Sequence, residues 1–354
     1  MTPKERVLTA ARHKEPDRVP LFYRDVPEVE ERLKRDLDLK DREALLRYFA
    51  IDFRWVGPRY VGPPRKDEGT GNIRDLWGVE YKYVTAGVGA YWEPVAFPLL
   101  EVHDPAALED YPWPRVDWFD FSELDTQLAE YRDYAIMTAP GDASPGVFAV
   151  VQNLLGMERA LIDMLLNPEF YQRLIDKIME FQLPFLEKLF TEARGRIDFL
   201  RIGDDFGGQQ GLLFSPELWR RFMQPALRAV SALAKRHGAL YYHHSCGAIH
   251  ELVPLFIETG VDVLDPLQVK AQGMEPTKLK AEFGRRICFS GGVDEQELLI
   301  RGTPEEVREG VRSLLGTMAF GGGFFVGPTH NFQCDIPTEN IVAMYETARS
   351  WKYY

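Results

Sequence analysis

Cysteine is scarce in this sequence, which has three among 354 residues. Three is an odd number and too few for a disulfide framework, so we expect a cytoplasmic protein in a reducing environment. Spaced cysteine and histidine residues there favour metal binding or catalysis. Long apolar runs are missing as well, since no stretch of about 18 apolar residues is present that would cross a membrane. Charge appears at once in Met1-Thr2-Pro3-Lys4-Glu5-Arg6, with no apolar segment after it, so we expect no signal peptide.

Positive charge is in the minority, with 42 Lys and Arg against 54 Asp and Glu and a net charge of −12. A nucleic-acid-binding surface would be basic and is therefore not expected. A few local arginines could still hold a carboxylate or phosphate ligand. The composition, 45% hydrophobic, is that of a globular protein with an ample core.

A Gly-x-Gly-x-x-Gly motif that opens a helix after the first predicted strand is also absent, which disfavours a dinucleotide-binding fold. Apolar, strand-like runs alternate with amphipathic helical segments through the second half, and this alternation predicts a parallel sheet covered by helices. Together with three strands in the first half, the count is near eight. We predict an α/β protein, a single (β/α)8 TIM barrel over residues 1–354. The predicted strands are 19–22, 51–55, 135–139, 199–202, 240–242, 261–264, 287–289 and 324–326.

Residues 57–121 interrupt this pattern with many proline, glycine and aromatic residues. We predict an aromatic-rich excursion of loops and hairpins, because residues 75–84 alternate as a strand does. Long aromatic loops are often functional lids, and in that case Trp77 would contact substrate. An aromatic plug beside the main core is the other interpretation, and the sequence leaves both open.

Polar and reactive residues follow each predicted strand of the second half. The carboxyl ends of the strands meet at one rim of a barrel, where the active sites of this fold lie. We therefore predict catalytic acid–base roles for Asp204, Asp205 and His330, and a substrate contact for Asp265.

His244 and Cys246 come at the end of one of these strands. Residues i and i+2 of an extended chain point to the same side, so both side chains can reach one metal ion. Cys334, in the loop that also carries His330, would supply a third ligand and leave one position open, as in catalytic zinc sites. A His-x-Cys pair alone is more often a chance pair in a loop; the convergence at the rim favours zinc. Cys288, inside a strand, is expected in the core.

The sequence from Gly203 to Pro216 is GDDFGGQQGLLFSP, and His244-Ser245-Cys246-Gly247 follows. In these motifs, and over nearly its whole length, the chain resembles the uroporphyrinogen decarboxylase superfamily. The resemblance implies a single-domain barrel. It also implies one of two activities: cofactor-free decarboxylation of a tetrapyrrole, or zinc-dependent methyl transfer together with a corrinoid protein, as in methylcobalamin:coenzyme M methyltransferases.

The motifs favour the methyltransferase branch. Phe22-Tyr23-Arg24-Asp25-Val26 stands where the decarboxylases carry Arg-Gln-Ala-Gly-Arg, and Pro328-Thr329-His330 keeps only the histidine of their Gly-His-Gly. The His-x-Cys pair and the later cysteine of the methyltransferases are present, and Asp75–Gly78 also looks like that branch. Asp52, at the place of the decarboxylase aspartate that gathers pyrrole N–H groups, and Gln209 are expected to contact substrate.

The resemblance thus implies a Zn2+-dependent methyltransferase that moves a methyl group to or from a thiol, a folate or a methoxylated small molecule. Its expected partners are that small molecule, a partner protein carrying a corrinoid (cobalamin) and, in a homodimer, a second copy of the chain. No nucleic-acid or membrane partner is expected. The sequence leaves open which half of the methyl-transfer pathway the chain performs.

Three alternatives remain. One is a uroporphyrinogen decarboxylase, disfavoured because Arg24 is the only arginine near the first predicted strand's end. Another is a non-catalytic, metal-free binding relative of the same fold. The third is a stand-alone enzyme for a small acidic substrate that uses Asp204, Asp205 and His330 as acid–base groups.

Overall fold

The computed structural model describes residues 1–66, 70–86, 89–139 and 145–353. The strands in chain order are β1 (Phe53–Val56), β2 (Arg59–Tyr60), β3 (Ile73–Arg74), β4 (Glu80–Ala86), β5 (Gly89–Ala96), β6 (Phe119–Asp120), β7 (Ala135–Thr138), β8 (Phe199–Gly203), β9 (Leu240–His244), β10 (Val263–Leu267), β11 (Cys288–Val293) and β12 (Phe324–Pro328). The helices are α1 (Pro3–Ala11), α2 (Pro27–Asp36), α3 (Arg42–Tyr48), α4 (Leu124–Glu130), α5 (Val147–Leu155), α6 (Met157–Leu166), α7 (Pro168–Ala193), α8 (Pro216–Phe222), α9 (Gln224–Arg236), α10 (Val253–Thr259), α11 (Pro276–Phe283), α12 (Leu298–Arg301), α13 (Pro304–Met318) and α14 (Thr338–Ser350).

Seven strands form one parallel sheet in the order β1-β7-β8-β9-β10-β11-β12. Strands β10, β11 and β12 are buried along their whole length, as expected for a parallel sheet that is covered by helices. Each strand lies next to its successor in the chain, apart from the excursion between β1 and β7. This arrangement places all the carboxyl ends of the strands on one side.

Residues 20–22 close the sheet into a barrel. The Phe22 N–H donates to the Val326 carbonyl at 2.9 Å, and the Val326 N–H donates to Pro20 at 2.9 Å. On the other side, the Asp52 N–H donates to the Leu21 carbonyl at 3.1 Å. This short segment occupies the eighth position between β12 and β1, where the sequence predicts a strand. The predicted (β/α)8 barrel is confirmed.

The amino end of the barrel is filled by apolar side chains. Val7 and Ala10 of α1 pack there against Phe53, Phe199 and other inward-facing residues of the strands. The ring centroids of Phe53 and Phe199 lie 5.8 Å apart, a distance typical of packed aromatic pairs. Because this end is closed, the open space of the barrel lies at the carboxyl ends of the strands.

The aromatic excursion contains two small antiparallel sheets, β2-β6 and β3-β4-β5; residues 67–69 and 87–88 lie outside the described residues. Trp77 is buried with 2% exposure and packs edge-on against Phe181 at 5.4 Å. It is thus part of a plug beside the core. Tyr91, on the hairpin β4–β5, is exposed, and its hydroxyl donates to Gln333 Oε1 at 2.7 Å.

Among the helices of the described residues, none combines the length and the apolar character that a membrane span requires.

Candidate active site

His244 is the last residue of β9 and points into the barrel mouth. Alternation along the strand places Tyr242 and His244 on the inner side and His243 on the outer side. His243 is fully buried there, with its Nδ1 2.9 Å from the Tyr241 hydroxyl and its ring stacked on Phe206. Burial lowers the pKa of His243 to about 3, so this histidine is a neutral core residue.

Strands β8 and β10 define the neighbours of His244. The register pairs His244 with Gly203 on one side and with Asp265 on the other. A Cβ atom at Gly203 would overlap the Cβ atom of His244, so glycine is the residue that leaves room for this ring. Asp265 is fully buried, and its Oδ2 atom lies 2.9 Å from His244 Nδ1.

Two arginines share the Asp265 carboxylate with His244. Arg24 donates to Asp265 Oδ2 at 2.9 Å, and a guanidinium nitrogen of Arg201 lies 3.6 Å from the same oxygen. Burial alone would raise the pKa of Asp265, but the charges of Arg24 and the contact with His244 hold it well below its usual range. The two guanidinium groups also lie 3.2 and 3.3 Å from His244 Nδ1. An ionised carboxylate is the strongest acceptor there, so Nδ1–H donates to Asp265 and Nε2 presents its lone pair to the mouth.

Two further donor atoms lie close to His244 Nε2 and form a group of three with it. His244 Nε2 lies 3.5 Å from Cys246 Sγ and 3.5 Å from Asp205 Oδ1, and all three atoms lie within 4.8 Å of one another. Tetrahedral zinc with bonds of about 2.0–2.3 Å separates its nitrogen, oxygen and sulfur ligands by about 3.3–3.6 Å. The two 3.5 Å separations and the donor types therefore fit a zinc ion with three protein ligands and one open position. Within the described ranges this is the one such group of three.

The Cys246 thiol depends on a cation to ionise. Burial and the neighbouring Asp205 raise its pKa, so the thiol keeps its proton in the metal-free protein. The Cys246 backbone N–H donates to Asp205 Oδ1 at 2.8 Å and fixes the carboxylate beside the sulfur. A bound cation would replace the thiol proton, as zinc does at cysteine ligands.

Cys334 is not part of this group. It lies in the turn after β12, where its carbonyl accepts a hydrogen bond from Arg32 at 2.7 Å. Glu28 and Asp335 are among the charges that act on its thiol, and burial raises its pKa. The structure thus places Asp205 where the sequence predicts a second cysteine ligand. A zinc ligand role for Cys334 stays a prediction that requires a different path of this loop.

Two other predicted residues lie away from the mouth. Asp204 is buried with 1% exposure, and its Oδ1 accepts a hydrogen bond from the Ala149 N–H at 2.7 Å. It thereby caps the N-terminus of α5, where the N-cap residue Gly146 has no side chain to do so. Asp52 precedes β1 at the amino end of the barrel and is enclosed by Arg6 at 2.7 Å and Arg18 at 2.8 Å. Neither position brings the carboxylate to the donor group.

Two cavities of about 400 Å³ each flank the donor group. The first, the basic chamber, is lined by Arg24, Arg42, Arg201, Trp55, His244 and His330, among others. The second, the amide chamber, is lined by acidic and amide side chains together with Cys246: Asp205, Gln209, Gln268, Glu295, Gln333 and Asp335. His330 borders both chambers. The mouth thus brings together six of the predicted residues: His244, Cys246, Asp205, Gln209, His330 and, behind the His244 ring, Asp265.

Residues 144–351 match the family model for uroporphyrinogen decarboxylase (URO-D). The chain belongs to the URO-D family. Its fold is similar to that of a solved methyltransferase from Methanosarcina mazei, with a TM-score of 0.65, 15% identity and coverage of 99% of this chain and 98% of that one. No protein among the curated sequences matches it significantly.

Three residues of this URO-D mouth were not singled out from the sequence: Arg42, Arg201 and Glu295. Arg201 carried a usable signal, since it is a charged residue within the apolar run Phe199–Gly203 and faces inward with Phe199. Glu295 is buried with 5% exposure, and burial raises its pKa to about 7 against the opposing charge of Arg24. It can therefore exchange a proton near neutral pH. Nothing local marks it, because it follows the glycine-rich end of β11.

Proposed function

We propose that this URO-D family member is a zinc-dependent methyltransferase that works with a corrinoid carried by a partner protein. The observation that carries the proposal is the meeting of three donor atoms in the barrel mouth: His244 Nε2 lies 3.5 Å from both Cys246 Sγ and Asp205 Oδ1, and all three lie within 4.8 Å of one another. Three protein ligands and an open position are typical of catalytic zinc. Decarboxylation by electrostatic stabilisation alone would not need such a group.

The chain's residues take separate roles in this proposal. His244, Cys246 and Asp205 hold the zinc, and Asp265 orients the imidazole through Nδ1. When bound, zinc would lower the pKa of a thiol, or polarise a methoxy oxygen, so that a methyl group can be transferred. Glu295, whose pKa of about 7 permits proton exchange, would accept or supply the proton from within the amide chamber.

Two further observations support this assignment. The methyltransferase from Methanosarcina mazei shares the barrel over nearly its full length, although at 15% identity the likeness concerns the fold. The His-x-Cys pair resembles that of the zinc-dependent branch, and it lies in the mouth rather than in the core.

The test is metal content followed by methyl transfer. The purified protein should carry about one zinc per chain, and zinc-loaded protein should accelerate the demethylation of free methylcobalamin by a thiol such as coenzyme M or homocysteine. The absorbance of methylcobalamin is used to monitor the loss of the cobalt–carbon bond, and the methyl thioether product is identified by mass spectrometry. Cys246→Ala should lose zinc and activity, whereas Cys288→Ala, with its thiol fully buried in β11, should keep both. Full zinc retention and activity in Cys246→Ala would sink the proposal.

A decarboxylase is the second candidate because the fold brings Arg42 and Arg201 beside Arg24. Only Arg24 lies near the end of the first predicted strand, so the sequence there underestimates the number of arginines that the fold brings to the mouth. Arg42 is, however, paired with Asp25 and Glu30, and Arg24 and Arg201 share Asp265. Few charges remain for the many carboxylates of uroporphyrinogen. Conversion of uroporphyrinogen to coproporphyrinogen by metal-stripped protein would establish this second function.

A further inference from the structure

The turn after β9, residues 245–248, places the Cys246 sulfur, and all four of its backbone N–H groups have partners. Two of these partners are side chains. The Cys246 N–H donates to Asp205 Oδ1 at 2.8 Å, and the Gly247 N–H donates to Gln268 Oε1 at 2.7 Å. Gln268, which follows β10, therefore holds the turn on the far side of the cysteine.

The bond to Gly247 also fixes the direction of the Gln268 amide. A backbone N–H can only donate, so the atom that faces it is the amide oxygen, and the NH2 group points the other way. Nε2 has no hydrogen-bond partner among the described residues. It has accessible surface, because Gln268 is only partly buried and lines the amide chamber. The result is a donor whose direction is set before any ligand binds.

Gln268 differs in this respect from the other side-chain amides of the amide chamber. Gln333 uses both ends of its amide, since it accepts from the Tyr91 hydroxyl at 2.7 Å and donates to a backbone carbonyl at 3.0 Å. Gln209 and Gln296 are exposed, and no side-chain hydrogen bond to a described residue fixes the direction of either amide. A donor that is already oriented loses little freedom when it pairs, so Gln268 is the amide best placed to select a ligand.

The charges of the chamber restrict that ligand further. Asp205, Glu295 and Asp335 bring three carboxyl groups, and the described lining residues include no lysine or arginine. Burial lowers the pKa of His330 to about 4, so this histidine is neutral at pH 7. A ligand carboxylate would meet charges of its own sign, whereas an uncharged oxygen can accept from Gln268 without that cost.

We propose that Gln268 recognises, through the N–H groups of Nε2, an uncharged acceptor oxygen on the small molecule that occupies the amide chamber, such as a carbonyl, ester or ether oxygen. The inference rests on the proposed function only in taking that molecule as a methyl donor or acceptor. The oxygen lies at the Cys246 end of the chamber, since Gln268 is bonded to the residue that follows this cysteine. One side chain thus holds the turn with its oxygen and the ligand with its nitrogen.

Mixed disulfides at Cys246 test the proposal in metal-stripped protein. Cys334→Ser is the background, and Cys288 is fully buried and does not interfere. One disulfide carries methyl thioglycolate, which ends in an ester, and the other carries 1-butanethiol, a chain of similar length without oxygen. The stability of each is measured by exchange with glutathione and mass spectrometry, and the ratio of ester to butyl is compared between variants.

Gln268→Glu should lower this ratio at least about 5-fold, because a hydrogen bond to the ligand is lost and two acceptors then face each other. Gln296→Glu is the matched control, with the same change of charge in the same chamber, and should alter the ratio less than about 2-fold. An unchanged ratio in Gln268→Glu, or equal changes in the two variants, would refute the assignment.

Two further measurements check the direction of the amide and the class of ligand. Hydrogen exchange of the Gly247 N–H should be unchanged in Gln268→Glu, which keeps an acceptor there, and at least about 3-fold faster in Gln268→Leu; faster exchange in Gln268→Glu would contradict the fixed direction. A thioglycolate disulfide, with a carboxylate in place of the ester, should be at least about 3-fold less stable than the ester, and greater stability would overturn the choice of an uncharged oxygen.

These measurements use neither zinc nor a corrinoid. Absence of zinc or of methyl transfer in the purified protein would remove the proposed function and leave the oxygen site intact. Protein that transfers methyl groups but keeps its ratio in Gln268→Glu would retain the proposed function and lose the oxygen site alone.

Discussion

Replacing Asp205 with alanine should weaken zinc binding far more than replacing Cys334. Asp205 Oδ1 lies 3.5 Å from His244 Nε2, within the ligand separation of tetrahedral zinc, whereas Cys334 lies outside the donor group. Partners that merely orient a metal ligand change affinity about 10–100-fold. A carboxylate that binds the ion directly should therefore cost at least about 100-fold, or roughly 2.7 kcal/mol. For Cys334→Ser we expect a change of less than about 3-fold.

The matched control is Asp335→Ala, because Asp335 lines the same amide chamber and carries the same charge without belonging to the donor group. It separates the loss of a ligand from the loss of one negative charge near the ion. Zinc affinity is measured by competition with a chromophoric chelator at constant pH and salt.

The opposite pattern would refute the reasoning. If Asp205→Ala keeps its affinity and Cys334→Ser loses about 100-fold, the loop after β12 takes another path when zinc is bound. The ligand set would then be the one predicted from the sequence, His244, Cys246 and Cys334. Equal losses in Asp205→Ala and Asp335→Ala would show that charge, not ligation, is what Asp205 provides.

Three further substitutions test the structure in other places. Asp52→Ala should lower the free energy of unfolding in urea by about 3–5 kcal/mol, because it leaves Arg6 and Arg18 without their buried partner; a loss below about 1 kcal/mol would contradict this. Burial raises the pKa of Asp204 to about 7. The protonated carboxyl therefore stabilises the fold fully below the unfolded-state pKa near 4, and this stabilisation is lost as the pH rises through 7. Between pH 5 and 7 the free energy of unfolding of wild type should fall by on the order of 1 kcal/mol per pH unit relative to Asp204→Asn, and parallel pH profiles would contradict this. Asp265→Asn should weaken zinc about 10–100-fold in the chelator assay, because His244 loses the carboxylate that orients its ring, and an unchanged zinc affinity would contradict this role.

The barrel and its rim could be predicted because they follow from local patterns. Apolar runs that end in polar residues mark parallel strands, and the fold itself brings their carboxyl ends together. His244 and Cys246 were found by the same kind of reasoning, since residues two apart at a strand end lie on one side. The structure places Nε2 and Sγ 3.5 Å apart.

For the adjacent residues Asp204 and Asp205, in the loop after β8, the sequence does not indicate which side chain faces the mouth. Asp204 and Asp205 are equivalent in the sequence, yet only Asp205 lies at the mouth. Asp204 turns to the N-terminus of α5, which Gly146 cannot cap with a side chain. That partnership joins residues 55 positions apart, so no local pattern reveals it.

The structure places Cys334 and Arg201 where the sequence did not indicate them, and the reasons differ. The position of Cys334 depends on the path of a loop that is fixed by a hydrogen bond from Arg32, some 300 residues earlier. Arg201 was within reach of sequence reasoning, since an arginine on the inner side of an apolar strand has to meet either a partner or a ligand. Arg201 lies on β8, far along the chain from Arg24, so the residues around the first strand do not reveal it.

Asp265 connects the arginines of the mouth to the metal-binding histidine. Its oxygen Oδ2 holds the imidazole of His244 at 2.9 Å and, at the same distance, the guanidinium of Arg24. Although this carboxylate is fully buried, Arg24 and Arg201 hold its pKa well below the usual range, so it stays ionised. A histidine with an ionised carboxylate partner is an oriented and more basic metal ligand. The positive charge of the basic chamber therefore supports the donor group through Asp265.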